Sequence, residues 1–299
     1  MNRCRRSVLV LPASSRRMAE KAATLDSDEV VLDLEDAIGE APDQKLEARR
    51  ILVETLQEVD FGEHTVAVRI NRVGGSQALR DVEALVPLLA GSISCLVVPK
   101  VSSAGEVHFL DHLLAGLEAE GGVGSPIGLE LQIEGPMALE RVSEIAAASR
   151  RTEALIFGPG DFAAAMGMPQ LAIGEETSEY PGDIWHYALF RIAVAARAHG
   201  LQVIDGPCSD IADLALLERS TRRAAQLGYD GKWVIHPSQL GTVNRILTPG
   251  RDQVRRAEEI LSTLKRRGGA SRLGAEMVDE AHRRMALEVL LRAGRALPQ

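Results

Sequence analysis

Short apolar runs alternate with longer segments of helical periodicity along most of the chain. Each run spans four to eight residues, is rich in valine, isoleucine and leucine, and precedes a helical segment, a pattern typical of buried strands. The eight predicted strands cover residues 7–12, 29–33, 65–71, 94–99, 127–134, 154–158, 202–205 and 232–237.

The segments between these strands repeat their apolar positions with the period of a helix, as in "DQKLEARRILVETL". Gly91, Gly200 and Gly228 follow such segments and indicate left-handed C-terminal caps. Eight strand–helix units predict an α/β fold, the (β/α)8 TIM barrel. The alternative is a doubly wound sheet, which usually has a glycine-rich phosphate loop after its first strand, where this chain reads "LPASSRR".

The pattern changes after Pro249. Residues 1–249 are predicted to form the barrel domain, and residues 250–299 a C-terminal helical extension. Within the extension, helices over 251–267 and 276–293 are expected to flank a flexible joint, "GGASRLG". Such a tail can pack on its own barrel or reach over a neighbouring subunit.

Composition excludes several classes of protein. The net charge of −8 and the 3% aromatic content argue against a nucleic-acid partner. The three cysteines form no C-x-x-C pair, which argues against a disulfide framework or a zinc ribbon. No apolar run approaches the ~20 residues that span a bilayer, and the N-terminus lacks the features of a signal peptide, so we expect no membrane partner and a cytoplasmic location.

Charged residues stand where the predicted strands end. In "LQIEGPMAL", Glu134 closes a strand just before Gly135 and Pro136, and "ALIFGPGDF" repeats the arrangement with Asp161. The catalytic groups of a barrel lie at the carboxyl ends of its strands. The strand-end residues are Asp33, Glu35, Asp36, Arg69, Lys100, Glu134, Asp161, Asp205 and His236.

Carboxylates that converge on one rim repel one another unless a cation joins them. Oxygen ligands without a nearby cysteine or paired histidine favour Mg²⁺ or Mn²⁺ over zinc. Arg69 offers a planar fork for a substrate carboxylate. These features predict a metal and a carboxylate clamp without a covalent nucleophile. A nucleophilic Cys208 with His236 is a weaker alternative, because no orienting partner is evident.

The same residues also have structural interpretations. Asp161 could cap the helix that follows it, and Arg69 could pair with Glu35 or Asp36. The recurrence of strand-end positions in consecutive units favours the functional interpretation. Two further strand-end residues are expected to form ion pairs or turns: Lys100 and Asp205.

Several motifs resemble, in order, those of the citrate lyase β-subunit and malyl-CoA lyase family of CoA-thioester lyases. The resemblance runs from Arg6 to the C-terminal helix, and its most specific parts favour the malyl-CoA/β-methylmalyl-CoA lyase branch. The motifs are "VVLDLEDAI", "VAVRINR", "LVVPKV", "LQIEGPMAL", "LIFGPGDFAAAMGM", "GDIWHYALFRIAVAARAHGLQVIDGP", "GYDGKWVIHPSQ" and "EMVDEAHRRMA".

The resemblance implies a Mg²⁺-dependent carbon–carbon lyase, with Mn²⁺ as a possible substitute. Such an enzyme cleaves a 3-hydroxyacyl-CoA such as malyl-CoA into glyoxylate and acetyl-CoA, or forms it from these two compounds. It implies that Glu134 and Asp161 bind the metal. Arg69 would hold the carboxylate of the 2-oxo acid, and Gly160 would donate a backbone amide to the same ligand.

The resemblance also implies a CoA site and an assembly. Lys21 would contact the CoA phosphates, and Ile235 and His236 would line the path of the CoA arm. Asp279 would be the acid/base, delivered across a subunit interface in a homotrimer or homohexamer, with the C-terminal extension packed on the neighbour.

The chain departs from the family pattern at places that touch the acyl and CoA pockets. Gly135 and Pro136 replace the residues that usually follow the strand-five acid, Ala13 replaces a glycine, and Cys208 replaces an aromatic residue after "IDGP". The exact substrate therefore stays open. The alternatives are a citramalyl-CoA or citryl-CoA lyase, a thioesterase of the same substrates, a CoA-independent metal aldolase, and a catalytically silent subunit.

Overall fold

Eight parallel strands pair in chain order, and the last pairs with the first, so that they close a barrel. This confirms the predicted (β/α)8 fold. The computed structural model describes residues 3–89, 91–122, 125–177, 180–267 and 269–295. The strands are β1 Ser7–Pro12, β2 Glu29–Asp33, β3 Thr65–Arg69, β4 Cys95–Val98, β5 Gly128–Ile133, β6 Thr152–Phe157, β7 Gln202–Asp205 and β8 Gly231–Val234.

Helices follow the strands. Two short helices, α5 and α6, follow β5 in place of one long one, and a 3-10 turn at Pro237–Gln239 follows β8. The helices are α1 Arg16–Ala22, α2 Pro42–Glu58, α3 Ser76–Leu89, α4 Ala104–Gly121, α5 Pro136–Glu140, α6 Val142–Ala147, α7 Pro159–Met166, α8 His186–Ala198, α9 Leu214–Gln226 and α10 Leu240–Leu247. None of the described helices combines the length and apolar character that a bilayer crossing needs.

Side chains fill the middle of the barrel. In β2, Glu29, Val31 and Asp33 alternate with Val30 and Leu32, and all five are buried. Alternate residues of a barrel strand face the interior and the helices, so each face needs a buried side chain. One buried cluster joins seven of the eight strands: Val8, Val31, Ala67, Cys95, Val97, Ala154, Ile156, Ile204 and Trp233.

A buried ion network lies near the amino ends of the strands. Arg5 is 1% exposed, and its guanidinium lies 2.8 Å from Glu29 Oε2, 2.8 Å from Glu130 Oε1 and 2.7 Å from Glu153 Oε2. Burial raises the pKa of Glu29 well above its usual value, and the charge of Glu130 adds to the rise. Residues at this end of a barrel serve stability rather than catalysis.

The chain divides into two compact units, Met1–Asn244 and Arg245–Gln299. The second unit contains α11 Arg251–Arg267, an antiparallel pair formed by β9 Ser271–Leu273 and β10 Glu276–Val278, and α12 Glu280–Arg292. Its two helices pack through a small apolar cluster: Val254, Ala257, Ala286 and Leu290.

Two predictions for this second unit were wrong. Residues 271–273 of the expected flexible joint form a strand, which turns back at Gly274 with a φ of 63°. The last helix begins at Glu280 rather than at residue 276, because Asp279 caps it and residues 276–278 pair as β10. Residue 268 of the joint lies outside the described residues.

Candidate active site

The carboxyl ends of β2 to β6 hold most of the charged residues predicted at strand ends. Asp33 and Arg69 are the last residues of β2 and β3 and are direct partners in the strand register. Lys100 lies two residues beyond β4, and Glu134 follows β5 immediately. Asp161 lies in the first turn of α7, which follows β6.

Carboxylates surround the guanidinium of Arg69. Its Nε and Nη2 donate to the two oxygens of Asp33 at 2.7 and 2.6 Å, and Nη1 lies 3.1 Å from Glu35 Oε2 and 3.2 Å from Asp36 Oδ2. Trp233 lies beneath it, with the ring centroid 5.4 Å from Cζ. The pairs with Glu35 and Asp36 are those that the structural interpretation predicted. Because Asp33 takes the bidentate edge, only the Nη1 side is available to a ligand.

Lys100 connects four carboxylates at the rim. Its Nζ binds Glu35 Oε1, lies 3.0 Å from Asp36 Oδ1 and is 3.8 Å from Asp161 Oδ2. Its backbone N–H donates to Glu134 Oε1. Its φ is 52°, and no other non-glycine residue among those described has a positive φ. The prediction that Lys100 forms ion pairs is confirmed.

Glu134 is 5% exposed, and burial raises the pKa of its carboxyl to about 8, with the nearby charge of Asp161 as the second cause. Gly158 packs directly on this side chain. A Cβ at Gly158 would lie 2.5 Å from Glu134 Cβ, a separation that real structures do not tolerate. Glycine at position 158 therefore makes room for the buried carboxylate.

The donor set at this rim fits Mg²⁺. Among the residues that the structure describes, no three His, Cys, Asp or Glu side chains converge as a metal cluster. Two carboxylates, Glu134 and Asp161, nevertheless lie against the same lysine. Mg²⁺ usually takes one or two protein carboxylates and fills its other positions with water and substrate oxygens. A cation between them would also relieve the repulsion that raises the pKa of Glu134.

The other residues predicted to bind substrate lie on different elements. Gly160 is in the first turn of α7, where backbone N–H groups have no acceptor within the helix. Lys21 is exposed in the last turn of α1. Ile235 and His236 are exposed directly after β8, which neighbours β1 in the barrel.

Asp279 is the N-cap of α12 in the second unit. Its Oδ1 accepts from the backbone N–H groups of Ala281 at 3.0 Å and His282 at 3.3 Å, and it lies 2.8 Å from His282 Nδ1. The hydrogen bond with His282 is the main cause that lowers the pKa of Asp279. The carboxylate is therefore ionised at neutral pH.

The structure gives other partners to the nucleophile alternative. Cys208 is buried with its Sγ 3.2 Å from Ser220 Oγ, and His236 Nδ1 lies 2.8 Å from Ser238 Oγ. The prediction that Asp205 forms an ion pair is confirmed, since Lys232 Nζ lies 2.6 Å from Asp205 Oδ2. These contacts favour structural roles for Cys208 and Asp205.

Sequence reasoning missed three features of the site, and each left a signal. Asp33 and Arg69 each end a strand of five residues. When the two strands pair in parallel from their first residues, these two side chains lie next to each other and form an ion pair. Gly158 at a strand end is typical of close approach by another group. Asp279 and His282 have the three-residue spacing of a capping box.

Comparison with known proteins identifies the family of the chain. Residues 6–237 match the HpcH/HpaI aldolase/citrate lyase family model. The chain is 37% identical to the L-malyl-CoA/beta-methylmalyl-CoA lyase of Rhodobacter capsulatus, over 98% of this chain and 94% of that one. It is 32% identical to the malyl-CoA/beta-methylmalyl-CoA/citramalyl-CoA lyase of Chloroflexus aurantiacus, over 83% and 75% of the two chains.

A solved structure of the CitE protein from Mycobacterium tuberculosis, in complex with magnesium, acetoacetate and coenzyme A, is also similar. It superposes with a TM-score of 0.77 at 28% identity, over 99% of this chain and 100% of that one. With the family match covering most of its length, the chain belongs to the HpcH/HpaI aldolase/citrate lyase family.

Proposed function

We propose that the protein is a Mg²⁺-dependent carbon–carbon lyase. It would convert a 3-hydroxyacyl-CoA such as malyl-CoA into a 2-oxo acid such as glyoxylate and an acyl-CoA such as acetyl-CoA, or catalyse the reverse. The observation that carries the proposal is the rim itself. Two carboxylates, Glu134 and Asp161, contact Lys100 at this rim, in a chain 37% identical to malyl-CoA lyases over nearly its full length.

Glu134 and Asp161 would hold the metal, in keeping with the magnesium complex of the Mycobacterium tuberculosis relative. When bound, Mg²⁺ supplies a Lewis acid that polarises the substrate oxygen at the carbon–carbon bond to be broken. The protein's own task is to hold the two carboxyl side chains in place for the metal. Gly158 and the Lys100 amide serve this task by confining Glu134.

Arg69 would bind the carboxylate of the 2-oxo acid through Nη1. Asp36 is 52% exposed and lies 3.2 Å from that nitrogen, so a substrate carboxylate can exchange with it. Asp33 holds the opposite edge of the guanidinium, so the group would keep its orientation during the exchange. Gly160 would add a backbone N–H from the first turn of α7, a position that suits an anionic ligand.

The CoA moiety would extend along the neighbouring ends of β1 and β8. The exposed ammonium of Lys21 would meet its phosphates, and Ile235 and His236 would line the pantetheine path. Since CoA thioesters are made and used inside cells, we place the enzyme in the cytoplasm.

Asp279 would exchange the proton at the acyl carbon. In cleavage the proton released from the substrate hydroxyl would reach Asp279 through water and pass to the carbon of the thioester enolate. In condensation Asp279 would remove that proton from acyl-CoA, and water would supply one to the new hydroxyl. We propose that a neighbouring subunit of a homotrimer or homohexamer supplies this residue. Its lowered pKa keeps it in the form required for condensation.

A citramalyl-CoA lyase is the second candidate, because the Chloroflexus aurantiacus relative carries that activity in its name. One assay panel separates the candidates. Purified protein with Mg²⁺ is offered malyl-, β-methylmalyl-, citramalyl- and citryl-CoA, and both products are measured. We expect glyoxylate and an acyl-CoA in equal amounts from the first two substrates, and none from Glu134→Gln. Free CoA with intact malate would replace the proposal with a thioesterase.

A further inference from the structure

Two acidic residues at the rim are neither metal ligands nor proton-transfer groups in the mechanism above. Glu35 and Asp36 follow β2. Their carboxylates contact Lys100, which also contacts both proposed metal ligands, so the four acidic groups lie close together. Glu35 is 5% exposed, whereas the Asp36 side chain is 52% exposed. Both are chemically suitable ligands for a divalent cation.

Lys100 holds these two carboxylates. Its Nζ binds Glu35 Oε1 and lies 3.0 Å from Asp36 Oδ1, and only at 3.8 Å does it meet Asp161. Arg69 Nη1 donates to Asp36 Oδ2 at 3.2 Å and lies 3.1 Å from Glu35 Oε2, without the geometry of a hydrogen bond. Each of the two acids therefore faces one lysine and one arginine.

The backbone of Lys100 points to the same role. Its φ of 52° lies in the left-handed region, which a residue with a side chain keeps only where the surroundings impose it. In this conformation the N–H reaches Glu134 Oε1 while the side chain reaches the β2 loop. One residue thus joins a proposed ligand to the two acids that are not ligands.

The number of available carboxylates decides which metal a site prefers. Ca²⁺ takes six to eight oxygens and accepts flexible, carboxylate-rich sites, whereas Mg²⁺ requires a near-octahedral site with one or two carboxylates and retained waters. A rim that offered Glu35 and Asp36 as well would suit the larger ion.

We propose that Lys100 is a positioning residue that withholds Glu35 and Asp36 from the metal and so makes the site selective for Mg²⁺ over Ca²⁺. This inference rests on the proposed metal site at Glu134 and Asp161. Lys100 acts as an internal counter-ion: its ammonium pairs with both surplus acids, which leaves two other carboxylates for the metal.

The test measures the affinities for Mg²⁺ and Ca²⁺ by competition against Mn²⁺, whose free form is detected by electron paramagnetic resonance. In Lys100→Met, which removes the charge and keeps most of the volume, we expect the preference for Mg²⁺ to fall by about tenfold, the lower end for loss of a group that orients metal ligands. Lys100→Arg should keep the preference.

A triple variant tests whether the loss of preference comes from the freed carboxylates of Glu35 and Asp36 or from a general disturbance of the structure. When Glu35→Gln and Asp36→Asn are added to Lys100→Met, no surplus carboxylate remains, and the preference for Mg²⁺ should return. Lys45→Met is the matched control, since Lys45 holds the same loop through the backbone oxygens of Leu34 and Glu35, at 2.9 and 2.7 Å, rather than through either surplus carboxylate. It should leave the preference unchanged.

The outcomes distinguish this inference from the function beneath it. If Glu134→Gln binds Mn²⁺ as tightly as the unmodified protein, the proposed metal site fails. If Glu134→Gln loses Mn²⁺ but Lys100→Met keeps its preference, or the triple variant does not regain it, the role of Lys100 is refuted while the metal site stands.

Discussion

Uncharged contacts position Glu134. Its carboxylate is buried, accepts the Lys100 amide and lies against the Cα of Gly158. Its pKa of about 8 reflects that burial and the charge of Asp161. The residue is therefore held in a place that disfavours its own ionisation, and a divalent cation removes that penalty.

A single methyl group tests this arrangement. Gly158→Ala should displace the Glu134 side chain, because the new Cβ would overlap it, and should weaken Mg²⁺ binding by about 10–100-fold. Isothermal titration calorimetry measures the affinity. Gly135→Ala is the control, since a Cβ there meets nothing within 4 Å outside its two chain neighbours. Equal affinities in the two variants would contradict the packing argument.

At the scale of elements, strand ends and helix starts place the chemistry. The predicted bounds of β1, β2 and β7 agree with the structure, because their apolar runs end at a sharp change of polarity. The last predicted strand ran to residue 237, but β8 ends at Val234 and Pro237 opens a 3-10 turn. Local periodicity does not reveal where the ladder of hydrogen bonds to a neighbour stops.

The start of α12 combines a structural and a proposed catalytic role in Asp279. Asp279→Asn keeps an efficient cap, since asparagine and aspartate serve equally well at this position. It removes the base, so turnover should fall by about 10²–10⁴-fold while Mg²⁺ affinity stays the same.

Asp279→Ala should show the same loss of turnover and, in addition, a lower melting temperature, because the cap is lost. Steady-state kinetics and differential scanning calorimetry separate the two effects. Full turnover in Asp279→Asn would exclude this carboxylate from the mechanism.

At the scale of the whole molecule, the two ends of the barrel have different roles. Carboxylates at the carboxyl ends of the strands face a proposed cation site. Near the amino ends, Arg5 neutralises a buried acidic cluster instead. The raised pKa of Glu29 means that the folded protein keeps a proton there that the unfolded chain releases.

This proton predicts a pH dependence of stability. Since the pKa of Glu29 is higher in the folded state, stability is greatest below the unfolded pKa of about 4.3 and falls as pH rises towards the folded pKa. Glu29→Gln should make this slope shallower by up to ~1.4 kcal/mol per pH unit, the value for one proton. Urea unfolding between pH 5 and about 8 measures it.

Glu153 belongs to the same network, but its contribution to stability depends on pH in the opposite direction, so Glu153→Gln serves as the control. The pKa of Glu153 is lowered by its bonds to Arg5 and Arg3, so its contribution is present above the unfolded pKa and is lost as pH falls. This variant should leave the slope above pH ~5 unchanged. An unchanged slope in Glu29→Gln would show that Glu29 is ionised in the folded protein.

The amino-acid sequence by itself determined the barrel, the order of its eight strands, and the strand-end positions of Glu134 and Asp161. These features are local or follow chain order, so apolar periodicity records them. Only the tertiary structure decided that Asp33 forms a bidentate ion pair with Arg69, that Lys100 adopts a positive φ, and that Gly158 packs against Glu134. Those contacts depend on the stagger of neighbouring strands and on close approach between distant segments, which a one-dimensional pattern does not encode.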